Sequence, residues 1–117
     1  MSKKGETGMV YESSPETFND DIKKAEYVMV DFWASWCNPC KLMKKLFEEF
    51  SKEIEGYTQI KLFSVNFEEF PEISTKYQIN AVPTILYLKD GKELHRSVGL
   101  QTKQQMVDML NSMKKVK

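Results

Sequence analysis

Cysteine and histidine are scarce in this sequence: Cys37, Cys40 and His95 are the only ones in 117 residues. A structural zinc site takes about four ligands, and one copy of the chain cannot assemble them from that set. A disulfide across two intervening residues closes a very short loop. It would remove little entropy from the unfolded chain and make a poor staple. An excess of one charge is missing too: 17 lysines and arginines balance 17 aspartates and glutamates. The basic surplus of a nucleic-acid binder is therefore absent. No apolar run approaches the length of a membrane span. The opening Met1-Ser2-Lys3-Lys4-Gly5-Glu6-Thr7-Gly8 is basic at first but lacks the apolar stretch of a secretory signal. These absences predict a cytoplasmic chain with no nucleic-acid and no membrane partner. Repeats, low-complexity tracts and interior linkers are also missing, which suits a single domain.

Hydrophobic residues make up 41% of the chain and charged residues 29%, the balance of an ordinary globular domain. Residues 1–8 read as a flexible N-terminal segment and residues 9–117 as the domain. After a short strand at Met9-Val10-Tyr11, Ser14-Pro15 has the form of a helix start. Phe18, Ile22 and Ala25 then fall on one face. Tyr27 to Trp33 is nearly all apolar, the pattern of a central strand buried on both faces, with Asp31 its single charge. A long helix follows from Asn38 to Glu55, with Leu42, Met43, Leu46, Phe47, Phe50 and Ile54 as its apolar face and Gly56 as its stop. Ile60 to Asn66 reads as a second inner strand and Pro71 to Tyr77 as a short helix. Thr84–Lys89 and Glu93–Val98 flank Asp90-Gly91, a hairpin signal. Thr102 and Gln105 form a capping box ahead of Met106, Met109, Leu110 and Met113. The pattern predicts an α/β fold: a central mixed β-sheet, parallel first and antiparallel last, with helices on both faces.

In a reducing compartment a close cysteine pair points to redox chemistry or metal binding. Cys37 falls where the strand ending at Trp33 gives way to the long helix. The free N–H groups and positive dipole of a helix start favour thiolate over thiol. Such surroundings lower a free-cysteine pKa of about 8.5 to roughly 3.5–7.5. Cys37 is thus the expected nucleophile. Cys40, one turn on and more deeply placed, is the expected resolving thiol. Pro39 suits a first turn because it has no N–H to leave unpaired. The competing readings are a pair of inert buried thiols and a metal shared between two copies.

The run Asp31-Phe32-Trp33-Ala34-Ser35-Trp36-Cys37-Asn38-Pro39-Cys40-Lys41 resembles the active-site segment of the thioredoxin family. The likeness continues through Ala81-Val82-Pro83-Thr84, Asp90-Gly91 and Val98-Gly99-Leu100, in order, from about Val10 to Met113. That family is itself a familiar instance of a lowered cysteine pKa. The resemblance implies a thioredoxin-like fold and a protein-disulfide reductase that needs no cofactor and no metal. Its implied partners are oxidised protein substrates and a reductase or equivalent electron donor, and the expected state is a monomer. It also implies that Pro83 is a cis-proline beside the cysteines and that the Val82 backbone pairs with an extended substrate segment. Trp36 would form an apolar rim, and Gly99 would leave room for the substrate chain. Asp31 would be a buried carboxylate that takes a proton from Cys40.

Three positions depart from the family pattern. Asn38 replaces a glycine, and its side chain is expected to reach the Cys37 thiolate. Ser64 stands where a lysine usually neighbours the buried aspartate, so Asp31 should be harder to ionise. Lys45 replaces a helix-kinking proline, which predicts a straighter helix. Blander readings accompany these assignments. Asp31 could be a strand-end carboxylate satisfied by backbone donors, and Pro83 a trans turn proline. Trp33 is expected in the core, the helical methionines as core filler and His95 on a surface strand with no role. Lys41 and Lys44 read as a solvated helix face, with Lys41 adding positive potential near Cys37. An oxidase or isomerase of the same fold, and a non-redox docking module, are the rival functions.

Overall fold

In the computed structural model, residues 10–114 are described, so the expected strand residue Met9 and the expected flexible segment 1–8 lie outside them. The elements are β1 (Val10–Glu12), α1 (Phe18–Asp21), β2 (Tyr27–Trp33), α2 (Asn38–Glu53), β3 (Ile60–Asn66), α3 (Pro71–Lys76), β4 (Thr84–Lys89), β5 (Lys92–Val98) and α4 (Lys103–Lys114). The five strands form one sheet in the order β1-β3-β2-β4-β5. β3 is parallel to both β1 and β2, whereas β4 runs antiparallel to β2 and β5. The mixed sheet expected from the pattern is therefore present.

Side-chain alternation along the strands divides the core in two. Tyr27 and Met29 of β2, Ile60 and Leu62 of β3, and Ile85 and Tyr87 of β4 face α2 and α4. They pack with Met43, Phe47, Phe50, Met106, Leu110 and Met113. Val28, Val30, Phe32, Phe63, Val65, Leu86 and Leu88 face the other way, onto Phe18, Ile22, Ile73 and Ile79. Helices thus cover both faces. Apart from Asp31, β2 is apolar because it lies between β3 and β4 with a helical layer on either side.

Several boundaries differ from the sequence reading. Ser14-Pro15 opens a turn, not a helix: the Ser14 carbonyl accepts from the N–H of Thr17 and Phe18, and the helix starts at Phe18 and lasts one turn. α2 stops at Glu53, with Ile54 as its C-cap, ahead of Gly56. α3 ends one residue early, at Lys76, and β5 starts one residue early, at Lys92. Leu42, assigned to the core, is 48% exposed. It is turned about 100° from Met43 around the helix, outside the arc of Cys40, Met43, Phe47 and Phe50 that is buried. α2 continues unbroken through Lys45. At the hairpin, Asp90 (φ 52°) and Gly91 (φ 82°) both take positive φ, as a two-residue turn of this hand requires. The capping box is made at both ends: Gln105 N–H donates to Thr102 Oγ1 (3.1 Å) and Thr102 N–H to Gln105 Oε1 (2.8 Å).

Candidate active site

At the carboxyl end of β2 the chain turns directly into α2. Cys37 is the N-cap of that helix, with extended backbone, and Pro39 lies in its first turn. Cys37 Sγ accepts a hydrogen bond from the Cys40 N–H at 3.1 Å. A sulfur therefore occupies the place where a serine or aspartate oxygen usually caps a helix. Cys37 and Cys40 are joined as a disulfide, their Cα atoms 5.2 Å apart. Both residues are largely covered, Cys37 at 5% exposure and Cys40 at 2%. They pack with Ala34, Trp33 and Val82.

The segment facing the pair comes from the start of β4. The Val82-Pro83 peptide bond is cis, and the Val82 carbonyl oxygen lies 3.6 Å from Cys37 Sγ. While the sulfur is held in the disulfide it has no proton to donate, so this is a contact and not a hydrogen bond. Thr84 Oγ1 donates to the Ala81 carbonyl at 2.6 Å, and the Gly99 N–H donates to the Pro83 carbonyl at 2.8 Å. Gly99 has φ 94°, and a Cβ there would meet nothing within 4 Å. The left-handed backbone accounts for glycine at this position without any steric demand from the protein itself. Trp36, next to Cys37 in the chain, and Val98 and Leu100, on either side of the Gly99 that bonds to Pro83, are exposed apolar side chains.

Asn38 is exposed and makes no hydrogen bond to Cys37 among the described residues. The donor to that sulfur is the Cys40 amide, because the turn already aims the backbone N–H at it. Asp31 is 2% exposed, and its Oδ1 has no hydrogen-bond partner among the described residues. The reading of a carboxylate satisfied by backbone donors fails for that oxygen. Burial pushes the Asp31 carboxyl from 3.8 up to about 7, while the positive charge of Lys44 pulls it down. Ser64 is its neighbour across β3 and Ile85 across β4. Neither carries a charge.

Two contributors escaped the sequence reading. Glu68 Oε1 accepts from the Ser35 N–H (3.3 Å) and Ser35 Oγ (3.0 Å), pinning the turn before Cys37 to the loop after β3. Glu68 and Glu69 in turn donate their N–H groups to Asn66 Oδ1. A contact between loops 33 residues apart leaves no periodic signal, although Asn66 ahead of two acidic residues is a turn-forming pattern. Lys44 is the other, since a lysine on an exposed helix flank looks like solvation. Among the described residues no group of three or more histidine, cysteine, aspartate or glutamate side chains is placed to hold a metal ion.

A mixed sheet with helices on both faces, carrying a Cys-x-x-Cys disulfide at a helix head opposite a cis-proline, defines a class of thiol–disulfide oxidoreductases. Comparison with known proteins agrees. The family model described as Thioredoxin matches residues 9–112. The chain is 36% identical over 98 residues to a thioredoxin of Rickettsia bellii (strain RML369-C), covering 83% of this chain and 91% of that protein. It is 39% identical over 96 residues to a thioredoxin of Rickettsia conorii (strain ATCC VR-613 / Malish 7), covering 81% and 90% respectively. With a thioredoxin of Chlamydia trachomatis serovar D it shares 35% identity over 103 residues, 88% of this chain and 97% of that protein. The chain belongs to the thioredoxin family, and its activity is thiol–disulfide exchange in the direction of protein-disulfide reduction.

Proposed function

We propose that Cys37 is the nucleophile of this reductase, Cys40 the resolving thiol and Asp31 the proton acceptor for Cys40. The observation that carries the assignment is the Cys40 N–H aimed at Cys37 Sγ from the first turn of α2. That donor and the helix dipole stabilise negative charge on Cys37 in the reduced protein. The Cys37 thiolate attacks a substrate disulfide, forming a mixed disulfide and releasing one substrate thiolate. Cys40 gives its proton to Asp31 and attacks Cys37 Sγ. The bond between Cys37 and the substrate breaks, the second substrate sulfur leaves, and the Cys37–Cys40 disulfide remains.

Trp36, Val82, Pro83 and Gly99 form the substrate surface in this reading, and Asn38 and Pro39 the active-site turn. The Val82 carbonyl, which touches Cys37 Sγ and accepts no hydrogen bond from any other group among the described residues, supports strand-like pairing with an extended segment. The exposed apolar side chains around the pair support contact with protein substrates. The substrates are oxidised proteins and the electron donor is a reductase or its equivalent. A monomer in the cytoplasm, with residues 9–117 as the domain, is the setting we propose for it. Among the described residues no helix is long and apolar enough to cross a membrane.

Cys37→Ser is expected to bring insulin-disulfide reduction down to the uncatalysed rate, and Cys40→Ser to trap covalent complexes with substrate proteins visible on non-reducing gels. Retained reduction by Cys37→Ser would reject the assignment. The docking-module reading predicts that biological activity survives Cys37→Ser. The oxidase reading predicts a potential for the pair close to that of dedicated oxidants in a redox titration.

A further inference from the structure

We propose that Lys44 is a positioning residue for the exchange, its ammonium placed on the flank of α2 that overhangs β3 so as to favour the ionised Asp31 carboxyl across Ser64. The proposal rests on the reading of Asp31 as proton acceptor for Cys40. The geometry comes from the helix and the sheet together. At 100° per residue, Lys44 lies about 40° from Cys40, on the same flank as Ser51. Ser51 and Glu55 line a cavity of about 140 Å³ together with Tyr11 of β1 and Leu62 of β3. That flank therefore lies over the β3–β1 side of the sheet, and the opposite flank, with Glu53, lies towards Val107 and Asn111 of α4.

Beneath it, one row of the sheet reads Glu12, Ser64, Asp31, Ile85 across four strands. Asp31 continues the Tyr27–Met29 row that faces α2. From β4 it meets Ile85, and from α4 the face carries Met106, Leu110 and Met113. From β3 it meets Ser64, a short uncharged side chain only partly covered. Glu12 stands beyond Ser64 at the exposed edge. From α2 the charge that acts on it is that of Lys44, while Cys40, held in the disulfide, does not titrate. The buried Oδ1 with no partner gives this carboxyl little else to stabilise its charge, and the field of Lys44 opposes the effect of burial on it.

The experiment follows the Asp31 side-chain carboxyl by carbon-13 NMR in the oxidised protein. Lys44→Met is expected to raise its midpoint by roughly half a pH unit, the size of a partly solvated charge pair. Lys44→Arg should return it, and Lys45→Met should leave it in place. An unmoved midpoint in Lys44→Met, or an equal shift in Lys45→Met, overturns the proposal. A second readout loads Cys37 with 5-thio-2-nitrobenzoate and times its release by Cys40. Lys44→Met should slow release about twofold at pH 7, with the difference gone by about pH 9 and absent in an Asp31→Asn background. If the midpoint moves while release does not follow it, the Asp31 reading fails and the role of Lys44 in exchange fails with it. If Asp31→Asn slows release but Lys44→Met moves neither quantity, Asp31 stands and Lys44 alone is rejected.

Discussion

In the proposed role of proton acceptor, Asp31 would set the chemistry and the stability of this site against each other. Burial raises its folded midpoint from the ordinary 3.8 to about 7, so between those values the native state holds a proton that the unfolded chain has released. Its contribution to stability is complete below about pH 4 and is lost as pH rises through 7. Asp31→Asn is therefore expected to stabilise the oxidised protein by a few kcal/mol at pH 8 and hardly at all at pH 4. Urea midpoints at the two pH values check this, and an equal gain at both would refute it. The same substitution is expected to slow the Cys40 step, since an amide accepts no proton. The sequence displayed this residue clearly, as one charge inside an apolar run. It could not display the lack of a partner for Oδ1, which depends on what Ser64 and Ile85 bring from strands far along the chain.

At the scale of elements, local chemistry and long-range packing divide the explanatory work. β2, β3 and β4 run between the residues their patterns predicted because each is a strand of period-two or fully apolar character flanked by turn residues. The capping box of α4 was readable because its partners are three residues apart. Thr102→Ala is expected to cost about 1 kcal/mol, and Gly91→Ala about 1–2 kcal/mol for forcing a side chain into left-handed backbone. Both are measurable as falls in the urea midpoint. Ser14-Pro15 misled because a serine–proline pair also starts a plain turn, and nothing local says that only one helical turn will fit beneath Tyr77, whose ring meets Phe18 edge-on. Leu42 misled because apolarity alone does not fix the width of a buried arc. The Ser35–Glu68 clasp was illegible for a related reason: it is a meeting of two loops, not a property of either.

Across the whole molecule, one sheet carries two cores. Val28, Val30 and Phe32 belong to one and Tyr27 and Met29 to the other, so no helix layer can detach without uncovering β2. Unfolding is therefore expected to be a single cooperative event, with tryptophan fluorescence from Trp33 and Trp36 and far-ultraviolet circular dichroism giving the same urea midpoint. Separate midpoints would mean that the layers come apart independently. Phe47→Ala, which opens the α2 side, is expected to lower both signals together by about 3–5 kcal/mol.

The amide hydrogen of Cys40 points at Cys37 before any electron arrives. Opening the disulfide delivers charge to a spot where a dipole has already been installed, so the oxidised and dithiol proteins can share one backbone. A catalyst able to keep one backbone in both states loses little energy to reshaping itself on each cycle.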